Sequence, residues 1–221
     1  KELVVAILGV ETSYGGNKGS FPVIDAHNHL FGDTPAEEMY PDIDPRGRWV
    51  VYARARSTNL RAPAEIRICR LDGSDDRLLL PNATFPSFTG DGKAVIAERE
   101  RGRIVRVDIA GGREEEIFPR GQGPFARAQI AKPRISPDGK WVAFTSDKPR
   151  RWSAWAVRLA DGNAVNLGDG CQPVWSNDPD VVYHVATSGM KERTGVLRTT
   201  LPAGRGRRSS ACVLSSGSAD C

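Results

Sequence analysis

Short apolar runs recur along this chain at a nearly constant interval, separated by turns rich in Gly, Pro and Asp. Trp49-Val-Val-Tyr52, Ala94-Val-Ile-Ala97, Trp141-Val-Ala-Phe144 and Val181-Val-Tyr183 each follow such a turn, and each turn follows a short segment that opens on a proline. Those prolines are Pro41, Pro86, Pro133 and Pro173, spaced by 45, 47 and 40 residues. The repeated unit therefore reads as strand, tight turn, strand. In the third copy Pro137-Asp138-Gly139 supplies the turn chemistry: proline presets φ, aspartate bonds nearby backbone, and glycine accepts positive φ. Val, Ile, Trp, Phe and Tyr flank these turns, and such side chains fit a pleated, half-buried surface.

A third strand is expected after each hairpin: Ile66 to Leu71, Ile104 to Ile109, Trp155 to Leu159 and Val196 to Leu201, each closed by a Gly-containing turn. Shorter apolar stretches follow at Leu78 to Leu80, Ile117-Phe118, Ala164 to Leu167 and Ala211 to Leu214. Four strands repeated at a period in the forties are one blade of a β-propeller. The expected fold is thus all-β and propeller-like, with about four blades of four-stranded antiparallel sheet over residues 40–204. A sandwich of four hairpins is the competing arrangement. Residues 1–39 form a separate N-terminal segment, and 205–221, poor in periodicity, are expected as a flexible tail. If four blades do not close on themselves, an oligomer is one way to complete the ring.

Composition narrows the functional classes. Of 221 residues, 23 are Gly and 15 Pro, which argues against a helical bundle. Lys and Arg exceed Asp and Glu by 31 to 27, and Arg205, Arg207 and Arg208 supply much of that excess, so no basic stripe points to nucleic acid. No run approaches the ~18 apolar residues of a membrane helix. Cys69, Cys171, Cys212 and Cys221 contain no C-x-x-C pair, which removes the zinc-knuckle and thioredoxin motifs. Neither a G-x-S-x-G elbow nor a G-x-x-x-x-G-K loop is present.

The repeats resemble the TolB-type propeller repeats of bacterial envelope proteins and of prolyl-oligopeptidase relatives, most firmly over Ile135-Ser-Pro-Asp-Gly-Lys-Trp-Val-Ala-Phe-Thr-Ser146. Arg46, Gly90 and Pro179 depart from that pattern in the other copies. The resemblance implies a periplasmic or secreted binding or scaffolding module that recognises a protein or peptide through loops at one end of its blades. Trp152, beside Arg150 and Arg151 in an inter-strand loop, is the candidate contact.

The opening segment carries two further echoes. Ala6 to Ala26 resembles the catalytic stretch of B-type lytic murein transglycosylases, with Glu11 at the acid/base position, Tyr14-Gly15 in the aromatic-Gly turn, and Asn17 in the connection behind it. A carboxyl serves as proton donor at neutral pH when an apolar setting raises its pKa; peptidoglycan would then be the substrate. The sequence departs from that family after Ala26, and no helical pattern remains to build a glycan groove. Val23 to Gly32 resembles the first-strand H-x-H motif of amidohydrolases. Alternation puts His27 and His29 on one face, where they could hold a divalent metal such as zinc. The strand–helix alternation of a barrel is missing, and with a binding module no cofactor is expected. The competing account makes Leu3 to Val10 a strand and leaves Glu11 solvated.

Overall fold

The structure is a computed structural model that describes residues 37–55, 64–100, 102–118, 124–149, 152–186, 196–201 and 210–214. Every regular element among them is a strand. They fall into four antiparallel sheets of four, each in simple chain order. The first sheet holds β1 (Glu37–Ile43), β2 (Trp49–Ala55), β3 (Ala64–Arg70) and β4 (Arg77–Pro81). The second holds β5 (Ala83–Phe88), β6 (Ala94–Arg99), β7 (Arg103–Asp108) and β8 (Glu115–Phe118). The third holds β9 (Ile130–Ile135), β10 (Trp141–Ser146), β11 (Ser153–Arg158) and β12 (Ala164–Gly168). The fourth holds β13 (Gly170–Trp175), β14 (Val181–Ala186), β15 (Val196–Thr200) and β16 (Ser210–Leu214). This is the blade unit of a β-propeller, four times over, and the sandwich is set aside.

One turn recurs between the first two strands of every blade, closed by the same backbone bond: Asp44 N–H to Trp49 O, Thr89 to Ala94, Ser136 to Trp141 and Ser176 to Val181, at 2.9–3.0 Å. In the third blade the Ser136 hydroxyl donates to Asp138 at 2.6 Å and accepts from Trp141 N–H at 3.0 Å. Thr89 and Asp91 repeat that pair in the second blade, at 2.6 Å. The first blade, with Arg46 where the aspartate should be, solves the problem differently. Asp44, 2% exposed, accepts the Trp49 N–H at 2.8 Å as well as the Arg46 and Arg48 N–H groups. One buried carboxylate does the work that a hydroxyl and a carboxylate share elsewhere.

Two compact units are distinguishable, and the boundary between them runs through the second sheet. In the unit formed by residues up to Ala97 with Arg106–Glu114, β5 packs against β1, β2 and β3. Val51, Ala53, Ile66, Ile68, Val95 and Ile96 are fully buried there. Asp42 accepts the Phe88 N–H at 2.8 Å and so pins β5 to β1. On the face carrying Val50, Tyr52 and Cys69, the Tyr52 hydroxyl donates to Asp76 at 2.8 Å, and Arg67 pairs with the same carboxylate at 2.9 Å. Burial works against ionisation of Asp76, but Arg67 and Tyr52 outweigh it and hold the carboxyl below its ordinary value.

In the other unit, Glu98–Val105 with the chain from Glu115 onward, the third and fourth sheets close over one core. Trp141, Ala143, Ala154, Ala156 and Leu167 of one meet Trp175, Val182 and Leu201 of the other. Small side chains at 143, 154 and 156 make room for two tryptophans. The Trp175 Nε1–H donates to the Arg134 carbonyl at 2.9 Å, so its one polar atom is satisfied. A second cluster joins Phe118, Phe125, Phe144 and Trp155, with ring centroids 5.1–5.6 Å apart. The last strand, β16, lies inside the range expected as a tail; its ladder with β15 gives that backbone partners.

Candidate functional site

The first strand of every blade contains an irregularity that the sequence pattern does not announce. Tyr40, Phe85, Lys132 and Gln172, each immediately before the repeat proline, have φ of 55°, 52°, 51° and 57°. In β1, β9 and β13 the register slips at this point: Met39 and Asp42 pair with Ala53 and Val51, Arg134 and Ala131 with Ala143 and Thr145, and Cys171 and Val174 with Val185 and Tyr183. Two residues on one strand face one on its partner, which is a β-bulge. Proline is at home there because it has no N–H to offer the ladder. In β1, β9 and β13 the prolines therefore mark bulges inside the first strand.

Left-handed backbone at a non-glycine residue costs roughly 1–3 kcal/mol. Here it recurs on one frame with two aromatic and two polar side chains. Tyr40 and Phe85 meet with ring centroids 4.5 Å apart at 50°, both half-buried. Lys132 is half-buried and Gln172 exposed. Burial pushes the Tyr40 phenol upward, so it stays protonated at neutral pH.

The strand order places the β6–β7 and β10–β11 connections, and the approach to β9, at one end of the blades. In the unit containing Glu98–Val105, Gln129 N–H donates to Asp147 Oδ1 at 2.8 Å, and Lys148 N–H to Ser146 Oγ at 3.2 Å. The Lys148–Pro149 peptide is cis. Trp152 follows with 45% of its surface exposed, against 6% for Trp141 and 8% for Trp155 and Trp175. Of the described tryptophans it is the one that faces solvent. Glu98 also lies at this end. Burial raises its carboxyl pKa, opposed by the Gly102 N–H at 3.0 Å. Among the described residues its hydrogen-bond partner is that backbone N–H and not a second acid or base.

The remaining expected residues separate cleanly. Glu11, Tyr14, Asn17, His27 and His29 lie outside the described residues. Of the equivalent tryptophans, both expected from the repeat to be core, Trp141 is buried, whereas Trp49 is half-buried with the Arg70 guanidinium 4.0 Å above its ring. Among the described residues no three His, Cys, Asp or Glu gather as metal ligands, and no helix is long and apolar enough to cross a membrane. Cys69 is a buried free thiol whose pKa burial pushes up to about 11, far from the thiolate that reactivity requires. The bulge residues were missed by sequence reading. Their signal was present: a large residue before every repeat proline.

No family model matches the sequence, and no curated protein matches it. Solved structures do. TolB from Acinetobacter baumannii superposes with a TM-score of 0.58 at 18% identity, over 73% of this chain and 40% of that one. The structure described as a putative TolB from Agrobacterium tumefaciens gives 0.55 at 17%, over 80% of this chain and 81% of that one. The β-propeller domain of the Trilobed protease from Pyrococcus furiosus, described as having an open velcro topology, gives 0.54 at 15%, over 80% and 57%. The fold is that of TolB-type propeller blades. At these identities the likeness establishes fold alone, and the match spans 40% of the first of these proteins.

Proposed function

We propose that the chain is a binding module of the bacterial envelope that recognises a protein or peptide through its blade ends and bulged first strands. One observation carries this reading: the same costly backbone conformation recurs in each first strand, yet the side chain it displays changes from Tyr40 to Phe85, Lys132 and Gln172. A purely structural bulge would be served most cheaply by glycine, which adopts positive φ without strain. Invariant frame and varied display are the properties of a recognition surface. The exposed Trp152 supplies the kind of rigid aromatic anchor that dominates interface energetics. The TolB-like fold supports an envelope location and a macromolecular partner. The Glu11 and His27/His29 chemistries find no support in the described residues or the comparisons.

Panning a random peptide display library on the intact chain tests the reading. Enriched peptides should lose binding to Gln172→Gly and Trp152→Ala, both in the same unit, while the thermal midpoints of both variants stay at or above that of the parent. Failure to enrich any peptide, or equal binding by both variants, would remove the proposal.

A further inference from the structure

The shared turn bond aligns the second strands residue for residue, with Trp49, Ala94, Trp141 and Val181 in one register. Three residues further on stand Tyr52, Ala97, Phe144 and His184, all at most 2% exposed. The frame thus buries a tyrosine, an alanine, a phenylalanine and an imidazole at one position. Tyr52 directs its hydroxyl to Asp76, and Ala97 and Phe144 need no partner. His184 is different: among the described residues neither Nδ1 nor Nε2 has a hydrogen-bond partner.

The ring is closely housed. A Cβ at Gly170 would fall 2.6 Å from His184 Cδ2 and 2.2 Å from the Val185 carbonyl, and one at Gly168 would lie 3.7 Å from Nε2. Opposite His184 the ladder is broken by the Gln172-Pro173 bulge, and proline has no N–H to offer. His184 shares its sheet face with Val182, by alternation along β14, and Val182 packs into the core between the third and fourth blades. The elements on that side present Trp141, Ala143 and Thr145 from β10, Ala154 and Ala156 from β11, Leu167 from β12, and Leu197 and Thr199 from β15. None can ionise. The charged groups of the neighbouring elements include Lys132 and Arg134 of β9, which packs against β13; Arg134 stands opposite Ala143, and both cations have interactions of their own. Asp169, in the turn between the two glycines, has an interaction of its own, and Arg158, at the far end of β11, pairs with Asp161 at 2.7 Å.

We infer that His184 is a proton-sensitive joint between the third and fourth blades, closed while the imidazole is neutral and opened when it takes up a proton. The step is a bare proton transfer from solvent to Nδ1 or Nε2 of the exposed ring. The imidazolium then has two N–H donors, and in the closed joint neither nitrogen has a hydrogen-bond partner. Burial lowers the pKa of the closed ring below the ordinary value, so the opened form binds the proton more tightly. Closure is accordingly complete above about pH 6.5 and is lost as pH falls through the lowered value.

The internal repeat supplies the control, because Phe144 shows that phenylalanine fits this register. In the full chain, amide exchange across β12, β13 and β14, corrected for the intrinsic chemical rate, should be faster at pH 5 than at pH 7. The expected excess rises with the pKa lowering on closure, toward a ceiling of about 30-fold set by the distance between pH 5 and the ordinary value. His184→Phe should abolish it. No excess in the parent chain, or the same excess in His184→Phe, overturns the inference. If that variant does not fold, proton NMR of the imidazole in a chain carrying His27→Gln and His29→Gln decides instead. A midpoint clearly below 6.5 sustains the joint, and an ordinary midpoint overturns it.

Discussion

The third and fourth blades share a frame and differ in what fills it. Both close their first turn with the same backbone bond, both carry a bulge with a left-handed residue before proline, and both bury the residue opposite that bulge. In the third blade that residue is Phe144, set among Phe118, Phe125 and Trp155. In the fourth it is His184, an unsatisfied polar ring over two glycines. Turn and bulge fix the backbone, while the buried position beside them accepts anything whose volume suits its neighbours. Polarity can enter there, at a cost in stability.

The largest effect should come from emptying the phenylalanine position. Phe144→Ala removes a fully buried ring from an aromatic cluster and should cost about 3–5 kcal/mol, read as a fall in the urea midpoint. His184→Phe in the fourth blade should raise the midpoint at pH 7, because two orphaned nitrogens disappear. Were the histidine variant the more damaging of the two, the view that the frame tolerates His184 at a net cost would be wrong.

Glycine distinguishes the same two blades at the next scale. A Cβ on Gly170 meets the Val185 carbonyl at 2.2 Å, whereas one on Gly139, in the third-blade turn at φ +73°, meets nothing within 4 Å. Gly170→Ala should therefore cost about 1–3 kcal/mol through overpacking. Gly139→Ala should cost about 1–2 kcal/mol through its left-handed backbone alone. A large-to-small substitution at His184 should relieve part of the first cost and none of the second.

Much of this was legible in the chain beforehand, and for a physical reason. Strand periodicity, turn residues and apolar runs are local signals, and the repeat multiplies each of them fourfold. Hence the third strands expected from Ile66, Ile104, Trp155 and Val196 lie within a few residues of β3, β7, β11 and β15. The bulges were not legible, because proline before an alternating run reads equally well as the start of a strand. Nor was the buried state of His184, which depends on glycines fourteen and sixteen residues away across a sheet contact. The role of Asp44 escaped for the opposite reason: Arg46 looked like a loss of turn chemistry, and the compensation had moved two positions upstream. The exposed Trp152 was read correctly as a loop residue, since neighbouring arginines and a proline rarely flank a core tryptophan.

The smallest expected effect concerns the turns, where the blades differ by one hydrogen bond. Asp138 takes the Ser136 hydroxyl at 2.6 Å and the Lys140 N–H at 3.1 Å. Asp178 takes the Asp180 N–H at 3.0 Å, and Ser176 directs its hydroxyl to the Asp178 carbonyl instead. Partial burial works against the charge on Asp138, yet Ser136 and Lys140 outweigh it and hold the pKa below the ordinary value. A depressed carboxyl pKa adds stability that is present above about pH 4 and lost as pH falls through the folded-state value. Asp138→Asn should thus destabilise modestly at pH 7, by about 1 kcal/mol, and flatten the acid limb of the stability curve below pH 4. Asp178→Asn should cost less at pH 7, since one bond rather than two is weakened. Equal losses in the two variants, measured by urea titration at both pH values, would mean that the backbone bond closing each turn sets its stability and the hydroxyl–carboxylate pair only decorates it.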